Sequence, residues 1–419
     1  MIQDVCRLSE GRCAELLREL VQTDTCQPEG REEMLVNKII SRLPDGISYT
    51  KLEHGQGRAS LIVEIRREPE DEAQAEEKAL SEGKAQAEEK ALSEERKENG
   101  ALAFIGHLDT VAYGKEEEWK YPPLKGHLED GIMYGRGTAD MKGGAAAMLL
   151  ALEKLWEERH LLERDIYFCF TADEEYRGIG IQAMVQGGYL SDVKEVVICE
   201  PSDEQVSICE KGALWLSVQI KGVGAHASRP ELGINAAETA YAFAGRMKQY
   251  IESAPAHPIL GKASASVTKI ESGIMTNMIP EEAELTLDIR TVPGLSCEEA
   301  EQYAGKAGKE LEEAYPGLSV CIETLNRRPA VGTKEGEGLV RHMLRLAKEM
   351  GMPGTPRGTH FYTDASQLIP VLPVPFVIAG PGDDRQAHCT DEHVEVGSVA
   401  RFAEMYRRYA TLSLREPTP

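Results

Sequence analysis

The chain has 419 residues and a mass of 46.1 kDa, room for several domains at roughly 100–200 residues each. Hydrophobic residues make up 42% and charged residues 28%, a globular composition that excludes disordered and collagen-like classes. Asp plus Glu (70) outnumber Lys plus Arg (47), and the formal charge of −23 argues against nucleic acid or an anionic membrane as partner, since phosphates would be repelled.

The opening MIQDVCRLSEGRCAELL lacks the basic region, apolar run and small-residue cleavage site of a signal peptide. No run reaches the ~20 apolar residues of a membrane span. The nine cysteines are scattered without a C-x-x-C, and Cys169, Cys199 and Cys209 lie in apolar runs. That pattern fits reduced thiols packed in a core, and a cytoplasmic location is expected. GRCAELLRELVQ and REEMLVNKIISRL have helical periodicity, and SLIVEI reads as the first buried strand of a largely parallel sheet. The decapeptide AQAEEKALSE then occurs twice, at 73–82 and 85–94, between equally polar flanks. Its leucines, Leu80 and Leu92, are too few to bury a face, so residues 66–99 read as a solvated insertion between two strands.

After the insertion, ALAFIGH, DIYFCFT, EVVICE and PVPFVIAG are short apolar runs suited to a largely parallel sheet. MKGGAAAMLLALEKLWEE and GLVRHMLRLAKEM are helical patterns in the same stretches, and strand–helix alternation argues for an α/β fold with helices on both faces. From about 206 to 326 the pattern changes. LWLSVQIKG, SASVTKIES, EAELTLDIR and SVCIETL are strands separated by two long helical patterns, and Leu285, Leu287 and Ile289 alternate onto one face. This predicts an inserted α+β module at 206–326, with the α/β domain in two parts, 1–205 and 327–419.

Chemistry-bearing residues cluster where the strands end. His107 and Asp109 follow ALAFIG; Asp140 sits in the Gly-rich MYGRGTADMKGG before a helix; Asp173, Glu174 and Glu175 follow DIYFCFTA; Glu200 ends EVVICE; His388 lies in GPGDDRQAHCTDEH after the last strand. Singly, each has an ordinary explanation, such as a helix cap for Asp140 or a solvated acidic loop for the glutamates. Together they occupy the crevice expected beyond the carboxyl ends of an open α/β sheet. Two histidines and three carboxylates suit divalent zinc, and five ligands exceed one tetrahedral ion. A shared carboxylate would let them serve two metals about 3.5–4 Å apart.

The sequence of motifs GHLDT, GRGTADMKGG, ADEE, EP, GVGAHASRPELGINA, TNMIP, DIRTVPG, TDAS and PGDDRQAHCTDE resembles the di-zinc amidohydrolase family of acetylornithine deacetylase, succinyl-diaminopimelate desuccinylase, carboxypeptidase G and aminoacylase. The likeness covers most of the chain except the 66–99 insertion. It implies a zinc-exopeptidase-like sheet interrupted by a smaller lid domain that dimerises. It implies two divalent ions per subunit, zinc or, on a similar ligand set, cobalt or manganese. His107, Asp140 and Glu200 would hold one ion and Asp140, Glu175 and His388 the other, with Asp140 bridging. Asp109 would orient His107, and Glu174 would be the general base. His226 would reach a neighbouring subunit's site, while Asn277, Arg290 and Thr363 would bind substrate. A cis peptide is implied at Asp140–Met141. The segment RGTHFYTDAS, carrying Thr359, His360 and Asp364, is longer than the family's Gly-Gly-Thr-Asp. The expected reaction is hydrolysis of an amide beside a free carboxylate, foremost deacylation of an N-acyl amino acid, with a di- or tripeptidase or carboxypeptidase as alternative. A non-catalytic metal-binding dimer is a third reading, disfavoured by the presence of Glu174 and every ligand. In the family, Glu rather than Asp at the position of Glu200 accompanies deacylases and carboxypeptidases.

The insertion yields a first prediction. Each doubling of a loop costs only ~0.6 kcal/mol, and the repeat carries no histidine, cysteine or aspartate. Replacing residues 70–98 by a short Gly-Ser link should leave folding and hydrolysis largely unchanged. Loss of folding, read by circular dichroism, would show that the segment belongs to the core.

Overall fold

The computed structural model describes residues 2–67 and 100–412; the charged repeat at 68–99 lies outside them. In chain order the elements are α1 (Ile2–Val21), α2 (Glu32–Ile40), β1 (Ser48–Gly55), β2 (Arg58–Ile65), β3 (Ala101–His107), β4 (His127–Glu129), β5 (Ile132–Tyr134), α3 (Gly143–Glu157), β6 (Asp165–Thr171), α4 (Ile179–Gln186), β7 (Val193–Ile198) and β8 (Val206–Glu210). Next come β9 (Gly212–Lys221), β10 (Ala225–His226), α5 (Ala236–Ser253), β11 (Ser264–Ser272), β12 (Met278–Ile279), β13 (Glu282–Thr291), α6 (Cys297–Ala314) and β14 (Ser319–Arg328). The last are β15 (Val331–Gly332), α7 (Gly338–Glu349), β16 (Pro356–Thr359), α8 (Ala365–Leu368), β17 (Phe376–Ile378), β18 (His393–Glu395) and α9 (Val396–Ala410). The chain forms two compact units. Among the described residues, one comprises 2–67, 100–208, 333–357 and 363–412; the other comprises 209–332 and 358–362.

The first unit is built on a mixed sheet whose centre, β6-β3-β7-β17, is parallel throughout. Every residue of β3 and of β6 is buried, as expected for strands covered on both faces. From β3 the chain moves one way to β6, then back past β3 to β7. Right-handed crossovers in opposite directions place α3 and α4 on opposite faces. SLIVEI, expected among the parallel strands, runs antiparallel to β6 as β2. Its direction follows from β1, joined to it by a tight turn at Gln56–Gly57 that only antiparallel neighbours can share.

On one face α1, α3 and α9 pack together. Beneath them Phe104 stacks on Phe168 with centroids 5.2 Å apart and meets Tyr406 of α9 at 5.1 Å. The Tyr406 hydroxyl donates to the Ala379 carbonyl at 2.6 Å, so this buried phenol is satisfied. The start of α3 lies against the end of β7: a Cβ on Gly144 would stand 2.0 Å from the Cys199 carbonyl oxygen. The glycine pair of MKGG therefore lets the segment carrying Asp140 approach the strand that delivers Glu200.

In the second unit, the antiparallel sheet β11-β13-β9-β14 packs against α5 and α6. Ala283, Leu285, Leu287 and Ile289 of β13 are buried, while the alternate positions are more exposed. Asn235 caps α5, accepting from the amides of Ala237 and Glu238, and Ser296 with Glu299 forms a reciprocal capping box on α6. A separate two-stranded ribbon pairs β10 with β12.

Candidate metal centre

The four parallel strands all end at the same edge of the sheet, and each delivers part of one cluster. His107 closes β3, Glu174 and Glu175 follow β6, Glu200 follows β7, and His388 lies on the loop after β17. Asp140 comes from the loop between β5 and α3, where the Asp140–Met141 peptide is cis.

These side chains converge. His107 Nε2 lies 3.0 Å from Asp140 Oδ1 and 3.3 Å from Glu200 Oε1. His388 Nε2 lies 3.4 Å from Asp140 Oδ2 and 3.0 Å from Glu175 Oε2. Asp140 thus offers one oxygen to each half of the cluster. Ligand atoms of His107, Glu174 and Glu200 lie within 4.8 Å of one another, as do those of His107, Asp140 and Glu175. His107 Nδ1 donates to the main-chain carbonyl of Asp109 at 2.9 Å, which turns Nε2 toward the carboxylates. The Asp109 carboxylate stands at 3.6 Å from Nδ1 and accepts instead from the amides of Glu174 (3.1 Å) and Glu175 (3.2 Å).

So many buried carboxylates repel one another. Burial, followed by the charges of Glu200, Glu175 and Asp364, raises the Glu174 carboxyl well above its ordinary value. Burial and Asp140 raise Glu175, and burial pushes Glu200 up to about 8. For Asp140 burial is outweighed by its bonds to His107 and His388, which hold it below the usual range. Those to Asp140 and Glu175 in turn push His388 up to about 11. Positive charge among these groups would relieve the repulsion. Glu200 Oε2 is buried with no hydrogen-bond partner among the described residues. An imidazole and carboxylate donor set with an orphaned oxygen fits divalent metal ions.

Residues 103–412 match the peptidase family M20/M25/M40. The chain belongs to that family. It is 28% identical over 337 residues, 73% of this chain and 82% of the relative, to a Staphylococcus epidermidis protein described as a "probable succinyl-diaminopimelate desuccinylase". Its fold is similar to a tripeptidase from Staphylococcus aureus (TM-score 0.70, 22% identity, 96% and 98% of the two chains). It is also similar to a dinuclear metal-binding M20 peptidase from Bacillus subtilis (TM-score 0.66, 15% identity, 97% and 98%). The protein is a metal-dependent hydrolase with the α/β fold expected of it.

In this M20 hydrolase the cluster is held by further buried groups within the motifs GRGTADMKGG, TDAS and PGDDRQAHCTDE. Glu392 is wholly buried, and its Oε1 accepts from the amides of Ala139 (2.9 Å) and Asp140 (3.0 Å). Its Oε2 accepts from the Gly137 amide (2.9 Å) and pairs with Arg136 (2.6 Å). One carboxylate therefore fixes the loop that presents Asp140. Lys142, also fully buried, donates to the Thr23 carbonyl at 2.9 Å, and burial lowers its ammonium to about 8. Asp364 accepts from Thr171, at the end of β6, at 2.6 Å; its neighbour Thr363 is buried and accepts from the Ala365 amide. Thr359 is buried and His360 exposed, both in the second unit.

The remaining candidates also lie in the second unit. His226 is exposed on β10, and its Nδ1 accepts from the Ser228 amide at 3.1 Å, which places the ring proton on Nε2. The Asn277 carbonyl accepts from Ala227 at 2.9 Å, so Asn277 and His226 share one ribbon. Arg290, on the more exposed face of β13, pairs with Asp288 through Nε at 2.8 Å.

Removing Glu392 would strand a buried guanidinium and three amides. Glu392→Ala should cost about 3–5 kcal/mol in urea unfolding, the range for breaking a buried ion pair, and weaken metal binding. A loss below about 1 kcal/mol would contradict this anchoring role.

Proposed function

We propose that the enzyme hydrolyses an amide bond beside a free carboxylate, with N-acyl amino acids as the foremost substrates. The observation that carries this reading is the placement of Glu174, buried with an oxygen within 4.8 Å of ligand atoms of His107 and Glu200 yet paired with neither histidine in the contacts that join the other four. His107, Asp140 and Glu200 would hold one divalent ion, and Asp140, Glu175 and His388 a second, zinc being favoured by the donor types. When bound, the pair supplies Lewis acidity, polarising the scissile carbonyl and acidifying water.

The protein's own groups complete the chemistry. The Glu174 carboxylate takes a proton from the attacking water; as the C–N bond breaks, it passes that proton to the leaving nitrogen. Asp109 holds the main chain at Glu174 in place. His226, with its proton on Nε2, is the proposed donor to the developing oxyanion. Arg290, Asn277 and Thr363 are proposed to hold the substrate, Arg290 by its carboxylate. Deacylation is favoured over peptide cleavage by Glu200 and by the desuccinylase description of the relative at 28% identity.

A homodimer is proposed from the edge of the second unit's sheet. β11 is an edge strand, and Val267, Ile270 and the nearby Tyr241 of α5 are 44%, 56% and 81% exposed. An apolar edge of this kind needs a cover, and pairing across a two-fold axis supplies one. Cytoplasmic residence is proposed from the thiols, with Cys13, Cys26, Cys169, Cys199, Cys209 and Cys297 free and buried.

The test is a hydrolysis screen of zinc-loaded protein on N-acetyl, N-succinyl and long-acyl amino acids beside di- and tripeptides, with Glu174→Gln as control. N-acyl amino acids should give the highest kcat/KM. Glu174→Gln should keep its metal and fold while losing ~10²-fold or more of kcat. Preference for peptides would favour the peptidase alternative, and a largely active variant would remove Glu174 from the role of base.

A further inference from the structure

A half-buried polar relay runs from the amino-terminal helices to the loop that carries Glu174. Gln27, in the connection between α1 and α2, donates through Nε2 to Asp109 Oδ2 at 2.8 Å and to Asp173 Oδ1 at 3.1 Å. Its Oε1 accepts from Arg58 Nη2 at 2.7 Å. Arg58, at the start of β2, also pairs with Asp173 at 2.8 Å and with the wholly buried Glu32 at 2.9 Å, and it donates to the Pro28 carbonyl at 2.6 Å. Asp109 then passes the constraint on, its two oxygens accepting from the successive amides of Glu174 and Glu175.

The relay has a specific task to perform. Asp173 lies in the left-handed region at φ 64°, a conformation uncommon outside glycine that must be held by its surroundings. Asp109 and Asp173 present two like charges to one point, and the amide nitrogen of Gln27 is the neutral donor that serves both. The Gln27 amide has one workable orientation: turned over, its oxygen would face both carboxylates and its nitrogen would face a guanidinium.

We infer that Gln27, locked by Arg58, is a positioning residue that sets the location of Glu174 through Asp109 and Asp173. The inference rests on the assignment of Glu174 as the base. Among the described residues, no side-chain hydrogen bond of Gln27 reaches the side chain of a candidate metal ligand. Gln27 reaches Glu175 only through Asp109 and the Glu175 main-chain amide, so its removal should act on turnover more than on metal content or substrate affinity.

The experiment compares Gln27→Met, Gln27→Glu and Glu174→Gln in the zinc-loaded full chain, recording kcat per folded site, KM, zinc affinity in a chelator buffer, and Tm. Gln27→Met keeps the length and removes the bonds; kcat should fall roughly ten- to a hundredfold, the scale of an ångström-sized misplacement, with KM within about threefold and two zinc equivalents retained. Gln27→Glu adds a third carboxylate against Asp109 and Asp173 and should lose at least as much. Should neither fold, Gln27→Asn keeps an amide with one methylene less reach and should show the same split between kcat and KM. A purely structural role would lower Tm and leave kcat per folded site, measured well below Tm, within about twofold; that result overturns the inference. If Glu174→Gln is inactive while Gln27→Met and Gln27→Asn turn over normally, the positioning role alone fails. If Glu174→Gln turns over normally, the base assignment fails and this role with it.

Discussion

The mutual repulsion of Asp140, Glu174, Glu175 and Glu200 is the constraint around which the first unit is organised. All four are drawn to one edge of a parallel sheet, where burial disfavours their charged forms. Such a concentration of negative charge persists in a folded chain when it is countered and when its members cannot swing apart. His107 and His388 supply part of the counter-charge, each pairing with Asp140. Divalent ions, which the family and the donor set both imply, would supply the rest.

Holding the members in place falls to two further carboxylates. Asp109 spends its oxygens on the amides of Glu174 and Glu175, and Glu392 on those of Gly137, Ala139 and Asp140. Each holds the cluster residues by their main chain rather than by their side chains, so it fixes where a neighbouring carboxylate begins while leaving that carboxylate's oxygens available for chemistry. Arg58 and Arg136 lie behind these two carboxylates, Arg136 paired with Glu392 and Arg58 reaching Asp109 by way of Gln27, so positive charge stands behind both loops. The arrangement separates groups that hold from groups that react, and it accounts for the presence of more buried acids than a metal pair needs.

Much of this was legible in the sequence because strand ends are local signals. ALAFIGH, DIYFCFT and EVVICE have the continuous apolar character of buried strands, and polar residues immediately after them had to emerge at one edge. His107, Glu174, Glu175 and Glu200 were readable for that reason. β1 was not, since SYTKLEHG is largely exposed and carries no apolar stripe. The antiparallel direction of β2 depended on β1 and was missed with it. Glu392 and Gln27 were invisible for another reason: their partners are remote in sequence, Glu392 lying 252 residues from Asp140 and Gln27 lying 82 from Asp109. Glu392 closes the motif PGDDRQAHCTDE and Gln27 merely precedes a proline, and the partners of neither can be read until the fold closes.

The central claim is that the cluster is a two-metal site sharing Asp140. Metal analysis of zinc-equilibrated, gel-filtered protein tests it most directly. The account predicts close to two equivalents per chain, and close to none in Asp140→Ala, which removes the shared ligand. A wild-type chain that is folded and reproducibly binds no metal, or an Asp140→Ala variant that keeps both equivalents, would contradict it.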